Sequence, residues 1–225
     1  MKKVVIIGGG MDVTSKQRGN FLDSNFDEII IMKRSIYHLD DYKEYLGTPT
    51  IWVNGGREWR KYDWITSELE ERLKWQEMYN KEININLQHK SYKILAGSKI
   101  KEVWLNYLDR EDHYPFTPPS NIEVTHISGL KNIHKDPTYF CSVGLQTIMY
   151  AISQGYDVYY FGIDSFRKGH HYYPETTYTF VSPESLDPKD VMDYNHKCSN
   201  YLREHKEIKN LIKLGKLKHI DTICP

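Results

Sequence analysis

Four β-branched residues in a row, Val4-Val5-Ile6-Ile7, run straight into Gly8-Gly9-Gly10. So short an apolar run, stopped by a glycine cluster, reads as a buried strand feeding a tight turn. The punctuation recurs along the chain. Glu28–Met32 is a second apolar run, and 50–53 a third, closed by Asn54-Gly55-Gly56. Asp157–Phe161 is followed by Gly162-Ile163-Asp164. Strands that are apolar throughout need cover on both faces, which is the habit of parallel sheets with helical crossovers.

Helical segments fall between these strands. The spacing predicts a short helix over 15–22 and a long amphipathic one over 57–79, where Tyr62, Ile65, Leu69 and Leu73 share a face. A nearly all-apolar helix is expected over 142–154, with Gly155 in the C′ position. A last helix is expected over 191–214. Shorter strands are expected at 91–95, 122–125 and 218–220. The polar stretch 109–136 holds Pro115, Pro118 and Pro119 and reads as loop-rich, long enough for a lid or an acceptor-binding insertion. There is no internal repeat and no linker. The fold class expected is α/β: one Rossmann-like domain over 1–225 with a mostly parallel sheet.

Charge excludes one class of partner. Lys+Arg and Asp+Glu are 30 each, so the formal net charge is zero, and bulk electrostatic binding of nucleic acid is not expected. Cys141, Cys198 and Cys224 are three thiols without metal-type spacing, as in a reducing compartment, and a cytoplasmic chain is expected. The apolar run 4–7 is too short for a signal-peptide core, and no stretch is long enough to span a bilayer. Transient contact with a membrane surface stays compatible with this sequence.

Several segments carry chemistry. A strand–glycine turn–helix unit brings backbone amides close to a phosphate, so Gly8, Gly9 and Gly10 read either as a nucleotide-binding turn or as a turn glycine-rich for packing alone. The dinucleotide fingerprint is incomplete: Val13 occupies the third glycine position, and Lys33-Arg34 ends the second strand where a ribose-binding acid belongs. Ser142, Val143 and Gly144 open the apolar helix, where free amides suit a carboxylate or phosphate, although local sequence alone favours Ser142 as an ordinary N-cap. Gly162 and Asp164 follow a buried strand, where Asp164 either accepts a ribose or sugar hydroxyl or caps a turn. His170-His171-Tyr172-Tyr173 places two imidazoles and two phenols in a polar loop, all able to hydrogen-bond or protonate a phosphate oxygen. His196 lies near the start of the last helix. No histidine stands in a metal-ligand motif, and no Asp-x-Asp pair stands at a strand end, so no metal is expected.

Taken in order, these segments resemble the sialyltransferases, both the eukaryotic type of glycosyltransferase family 29 and the small bacterial type. Residues 4–53 are similar to the family's first long motif: a strand, a glycine turn, Arg18-Gly19, Asp23-Ser24, a second strand, and Gly47-Thr48-Pro49-Thr50. Residues 140–164 are similar to the second motif, with Ser142-Val143-Gly144 in place of Ser/Thr-Gly. His171-Tyr172-Tyr173 matches the short His-Tyr-Tyr motif, and His196 stands where the bacterial enzymes carry a histidine before a terminal helix and strand.

The resemblance implies a sialyltransferase-type variant of the Rossmann-like fold and an inverting, metal-independent transfer from a CMP-sugar to a glycan or glycolipid hydroxyl. It implies no cofactor beyond that donor substrate. Ser142 and its helix end would hold the donor carboxylate. His171 with Tyr172 or Tyr173 would stabilise the departing phosphate, and His196 would deprotonate the acceptor. Gly8, Gly9, Asn54, Gly162 and Asp164 would surround the nucleotide. The chain also departs from the pattern. Gly9 and Ser35 replace expected asparagines, Tyr201 stands where the eukaryotic type has Glu, and the bridging cysteines have no counterparts. Two other classes compete: a Rossmann-like NAD(P)- or S-adenosylmethionine-dependent enzyme, and a non-catalytic nucleotide- or sugar-binding protein.

Overall fold

The apolar runs pair side by side. In the computed structural model, which describes residues 1–54, 89–106, 118–127, 142–163 and 203–224, seven strands are present. They are β1 (Lys3–Ile7), β2 (Glu28–Met32), β3 (Ile51–Asn54), β4 (Glu102–Leu105), β5 (Glu123–His126), β6 (Asp157–Phe161) and β7 (Lys218–His219). Their order across the sheet is β5-β4-β3-β2-β1-β6-β7, and all six pairings are parallel. The expected mostly parallel α/β sheet is thus wholly parallel among the described strands.

Alternation along each strand builds two cores. Val5, Ile7, Ile31 and Trp52 face α1 (Gly19–Asn25), α2 (Lys43–Leu46) and α3 (89–97) through Leu22, Leu46 and Leu95. Val4, Ile6, Ile30, Val53 and Trp104 face α4 (Val143–Ser153) and α5 (203–213) through Leu145, Ile148, Ile208 and Leu211. Each fully buried Val or Ile stabilises the fold by about 1.5–3 kcal/mol relative to exposure, and β1, whose Val4–Ile7 are all buried, lies inside the sheet and not at an edge.

The polar and glycine residues between 18 and 50 lock the first three strands together. Asp23 accepts hydrogen bonds from the Thr48 amide (2.6 Å) and hydroxyl (3.1 Å). Gly47 between them has φ +66°, in the left-handed region, and an added Cβ would lie 2.7 Å from Asp23 Oδ1. Gly19 is equally confined, since its Cβ would lie 2.5 Å from the Lys43 carbonyl oxygen. At the amino end of the sheet, buried Glu28 accepts from Lys2 Nζ (2.9 Å), Lys101 Nζ (2.8 Å) and Thr50 Oγ1 (2.7 Å). Burial alone would raise its carboxyl pKa, but the hydrogen bonds from Lys101, Thr50 and Lys2 outweigh that and hold it below the usual range.

Four expectations need correction. Residues 91–95 lie within helix α3 and are not a strand: Ser91 and Leu95 are buried four apart while Tyr92 and Lys93 are exposed, a helical period hidden in a run too short to show it. The helix expected over 15–22 is a 3-10 turn, Met11–Ser15, followed by α1 beginning only at Gly19. β4 is absent from the strands expected on sequence because Glu102-Val103-Trp104-Leu105 is four residues long and starts polar. The closing strand ends at His219, where a 3-10 turn, Ile220–Thr222, takes over. The long helix at 57–79 and most of the 109–136 insertion lie outside the described residues.

Candidate functional site

The chain moves outward from β1 through β2, β3 and β4 to β5, then returns to the other flank of β1 as β6. The carboxyl ends of β1 and β6 therefore form a topological switch point, where open parallel sheets leave a crevice for ligand. The glycine turn after β1 and the Gly162 turn after β6 meet there. The Gly8 amide donates to the Phe161 carbonyl (2.9 Å), and the Gly10 amide donates to the Gly162 carbonyl (2.8 Å). An added Cβ on Gly8 would sit 1.9 Å from Gly162 O. Gly162 has φ +68°, and its own Cβ would lie 2.5 Å from Val13 Cγ2.

These contacts decide what the glycine turn can offer. The amides of Gly8 and Gly10 are committed to β6 and the turn after it, so they do not form the open ring of donors that a phosphate cradle needs. Two of the glycines are required by close backbone approach. Asp12 stands beside them: its Oδ2 accepts from the Gly162 amide at 3.4 Å, and its Oδ1 is buried without a partner among the described residues. Burial first, and then the Asp12 carboxylate, push the Tyr160 phenol above its usual range, so it stays neutral. Asp12 has no motif around it, and nothing in the sequence singles it out.

α4 brings its amino end to the same edge, because its short connection to β6 makes it run antiparallel to the strands. Ser142 is the N-cap: its Oγ accepts from the Leu145 amide (3.3 Å), and its own amide donates to the carboxylate of Glu204. Glu204, from α5, is 2% exposed. Ser142 Oγ thus caps the first turn of α4. The amides of Val143 and Gly144 are first-turn groups that a helix leaves without an internal acceptor. An added Cβ on Gly144 would lie 3.2 Å from Ile163 Cγ2, so α4's first turn packs directly against the residue after Gly162.

Further along the edge, β2, β3 and β4 lead into buried polar residues. Ser35, Asn54 and Asn106 are 1%, 0% and 7% exposed. Asn54 accepts through its carbonyl from the Asn106 amide (3.0 Å). On the other flank, buried Arg18 donates to Asp221 (2.9 Å), and its guanidinium lies 5.3 Å from the Phe161 ring centroid. The structure therefore brings Gly8, Gly10, Val143, Gly144 and Gly162 to one crevice, with Gly9 in the same turn and Asn54 two strands away. Asp164, His171, Tyr172, Tyr173 and His196 lie outside the described residues. Among the described residues no group of three or more His, Cys, Asp or Glu is placed to hold a metal, and no helix is long and apolar enough to cross a membrane.

Comparison with solved structures gives the architecture its relatives. A mammalian sialyltransferase in complex with Gal-beta-1-3GalNAc-ortho-nitrophenol superposes with a TM-score of 0.50 at 12% identity, covering 97% of this chain and 69% of that one. The chain has a sialyltransferase fold. A second mammalian sialyltransferase structure superposes with the same TM-score at 11% identity, covering 97% of this chain and 68% of that one. No family model matches the sequence, and no curated protein matches it. In this sialyltransferase-like frame, Glu204 is a residue that sequence reasoning missed: nothing in its helical context signals that its carboxylate reaches the α4 cap.

Proposed function

We propose that this chain is an inverting, metal-independent glycosyltransferase. It moves sialic acid, or a related acidic sugar, from a CMP-sugar to a hydroxyl of a glycan or glycolipid. The observation that carries this reading is the convergence of α4's amino end with the Gly8–Gly162 crossing at the switch point of a sialyltransferase-like sheet. An acidic sugar brings a carboxylate, and the Val143 and Gly144 amides, with the positive end of α4, suit one.

In this reading the Ser142 hydroxyl, capping α4, donates to the same carboxylate. His171, with Tyr172 or Tyr173, hydrogen-bonds the phosphate of the leaving CMP as the glycosidic C–O bond breaks. His196 takes the proton of the acceptor hydroxyl as its oxygen bonds to the anomeric carbon from the opposite face. Gly8, Gly9, Gly10, Asn54, Gly162 and Asp164 border the nucleotide, with Gly8 and Gly10 leaving room for the Gly162 backbone and not for the phosphate. The engagement of the Gly8 and Gly10 amides by Phe161 and Gly162 speaks against a dinucleotide turn, and so against an NAD(P)-dependent enzyme. A reducing, cytoplasmic setting is part of the same proposal.

The test is CMP release from a panel of CMP-sugars, with and without lactose- or galactose-terminated acceptors. Acceptor-dependent CMP release with mass-spectrometric transfer of the sugar is expected. No turnover of any acidic CMP-sugar, together with thermal protection by NAD or S-adenosylmethionine and none by CMP, overturns it.

A further inference from the structure

Asn106 carries a buried polar atom that the rest of the described chain does not satisfy. The residue is 7% exposed, and its Oδ1 is buried with no hydrogen-bond partner among the described residues. A buried amide oxygen left unpaired is costly, and a native chain keeps one where a partner arrives from outside or where function requires it.

Its place in the fold says which partner. The ring of Trp104 meets that of Tyr150 on α4 edge-on, centroids 4.8 Å apart, so β4 lies under α4 at that level. Two residues beyond Trp104, a rise of about 7 Å and one past the end of β4, comes Asn106, whose amide continues the ladder to Asn54. Trp104 belongs to the α4-side core and Leu105 to the opposite one, so alternation returns residue 106 to the α4 side. Seven residues back along α4 from Tyr150, about 10 Å, comes the Val143 amide. Asn106 and the amino end of α4 thus share one face and one edge of the sheet. Three strand spacings, about 14 Å, separate β4 from β1, a span that a nucleotide-sugar laid across the edge covers.

We propose that Asn106 is a donor-binding residue, its side-chain oxygen accepting a hydrogen bond from an N–H or O–H of the nucleotide-sugar. This rests on the glycosyltransferase reading above. Two parts of the ligand carry that chemistry, the exocyclic amino group of cytosine and a hydroxyl of the sugar. An amide oxygen facing the amino group favours cytosine over uracil, whose carbonyl at the same position would meet it acceptor to acceptor.

The test is calorimetric titration of CMP, UMP and CMP-N-acetylneuraminate into wild type, Asn106→Leu and Asn106→Asp, with thermal melts of the unliganded proteins. Asn106→Leu should melt at or above wild type, because it removes an unpaired buried polar atom, yet bind about tenfold more weakly. If CMP weakens and the preference over UMP narrows, the partner is the base. If only CMP-N-acetylneuraminate weakens, it is the sugar. Asn106→Asp keeps the acceptor and should bind like wild type more closely than Leu does. Unchanged binding of all three ligands by Asn106→Leu overturns the proposal, as does its failure to fold or a clearly lowered melt, since either makes the amide structural. Equal weakening by Asp and Leu also overturns it. A wild type that binds none of the three overturns the glycosyltransferase reading itself.

Discussion

Gly8 and Gly162 cross so closely that a single methyl group on Gly8 would lie 1.9 Å from the Gly162 carbonyl oxygen. The opposing atoms are backbone at the ends of two central strands, so they cannot rotate away as a side chain would. Gly8→Ala should destabilise the protein by about 3 kcal/mol or leave it unfolded. Gly97→Ala is the control, because a Cβ there meets nothing within 4 Å. It should be neutral or slightly stabilising in an exposed helix end. Urea denaturation of both variants checks the contrast.

Acid should attack this fold at Glu28. Its folded carboxyl titrates below the ordinary value, so it binds fewer protons than the unfolded chain across that interval. The stability it contributes is full above the unfolded glutamate pKa, about 4.3. It is lost as pH falls from there through the lower folded value. Glu28→Gln should cost about 1–3 kcal/mol near neutrality. The gap from wild type should close as pH drops below about 4. Denaturation curves of both proteins from neutral pH down to about pH 3 measure it.

The Glu204 carboxylate on the Ser142 amide ties α5 to the start of α4. Glu204→Ala should destabilise by about 1–3 kcal/mol, since it leaves that amide without its acceptor. Ser142→Ala should cost about 1 kcal/mol as a lost N-cap. The two contacts meet at residue 142, so their effects should not add, and the double variant measures the coupling. Additive losses would separate the two contacts.

Kinetics should separate the two histidines proposed as catalytic. His196→Ala should lower kcat by about 10²–10⁴-fold while CMP binding stays near wild type, because a base touches the acceptor. His171→Ala should slow turnover and also weaken CMP, because the proposed role has it contact the phosphate before and during transfer. Wild-type turnover by His196→Ala removes the base assignment.

Chelation tests the metal-independent mechanism. Turnover should persist in excess EDTA, since the proposed mechanism meets charge on the departing phosphate with imidazole and phenol groups. Loss of turnover that magnesium or manganese restores would replace that account with a cation-assisted one.

Strands β1, β2 and β6 were legible because burial on both faces favours an uninterrupted apolar run, and a run that short and rich in β-branched or aromatic residues fits a strand better than a helix. α4 was legible from its longer apolar run, with Gly155 at φ +72° just beyond its end as the sequence indicated. β4 and α3 were not, because four residues of strand and nine of helix carry too little periodicity to tell the two apart. The candidate site divides along the same line. Ser142, Gly144 and Gly162 could be singled out one by one, since each sits at an element end that sequence marks. That Gly8 and Gly10 give their amides to Phe161 and Gly162, that Glu204 reaches the cap of α4, and that the Asn106 side-chain oxygen is buried on the α4 face without a partner were decided only by the fold. Each depends on residues more than fifty apart in the chain or on which atoms surround a buried group, and spacing along a chain encodes neither.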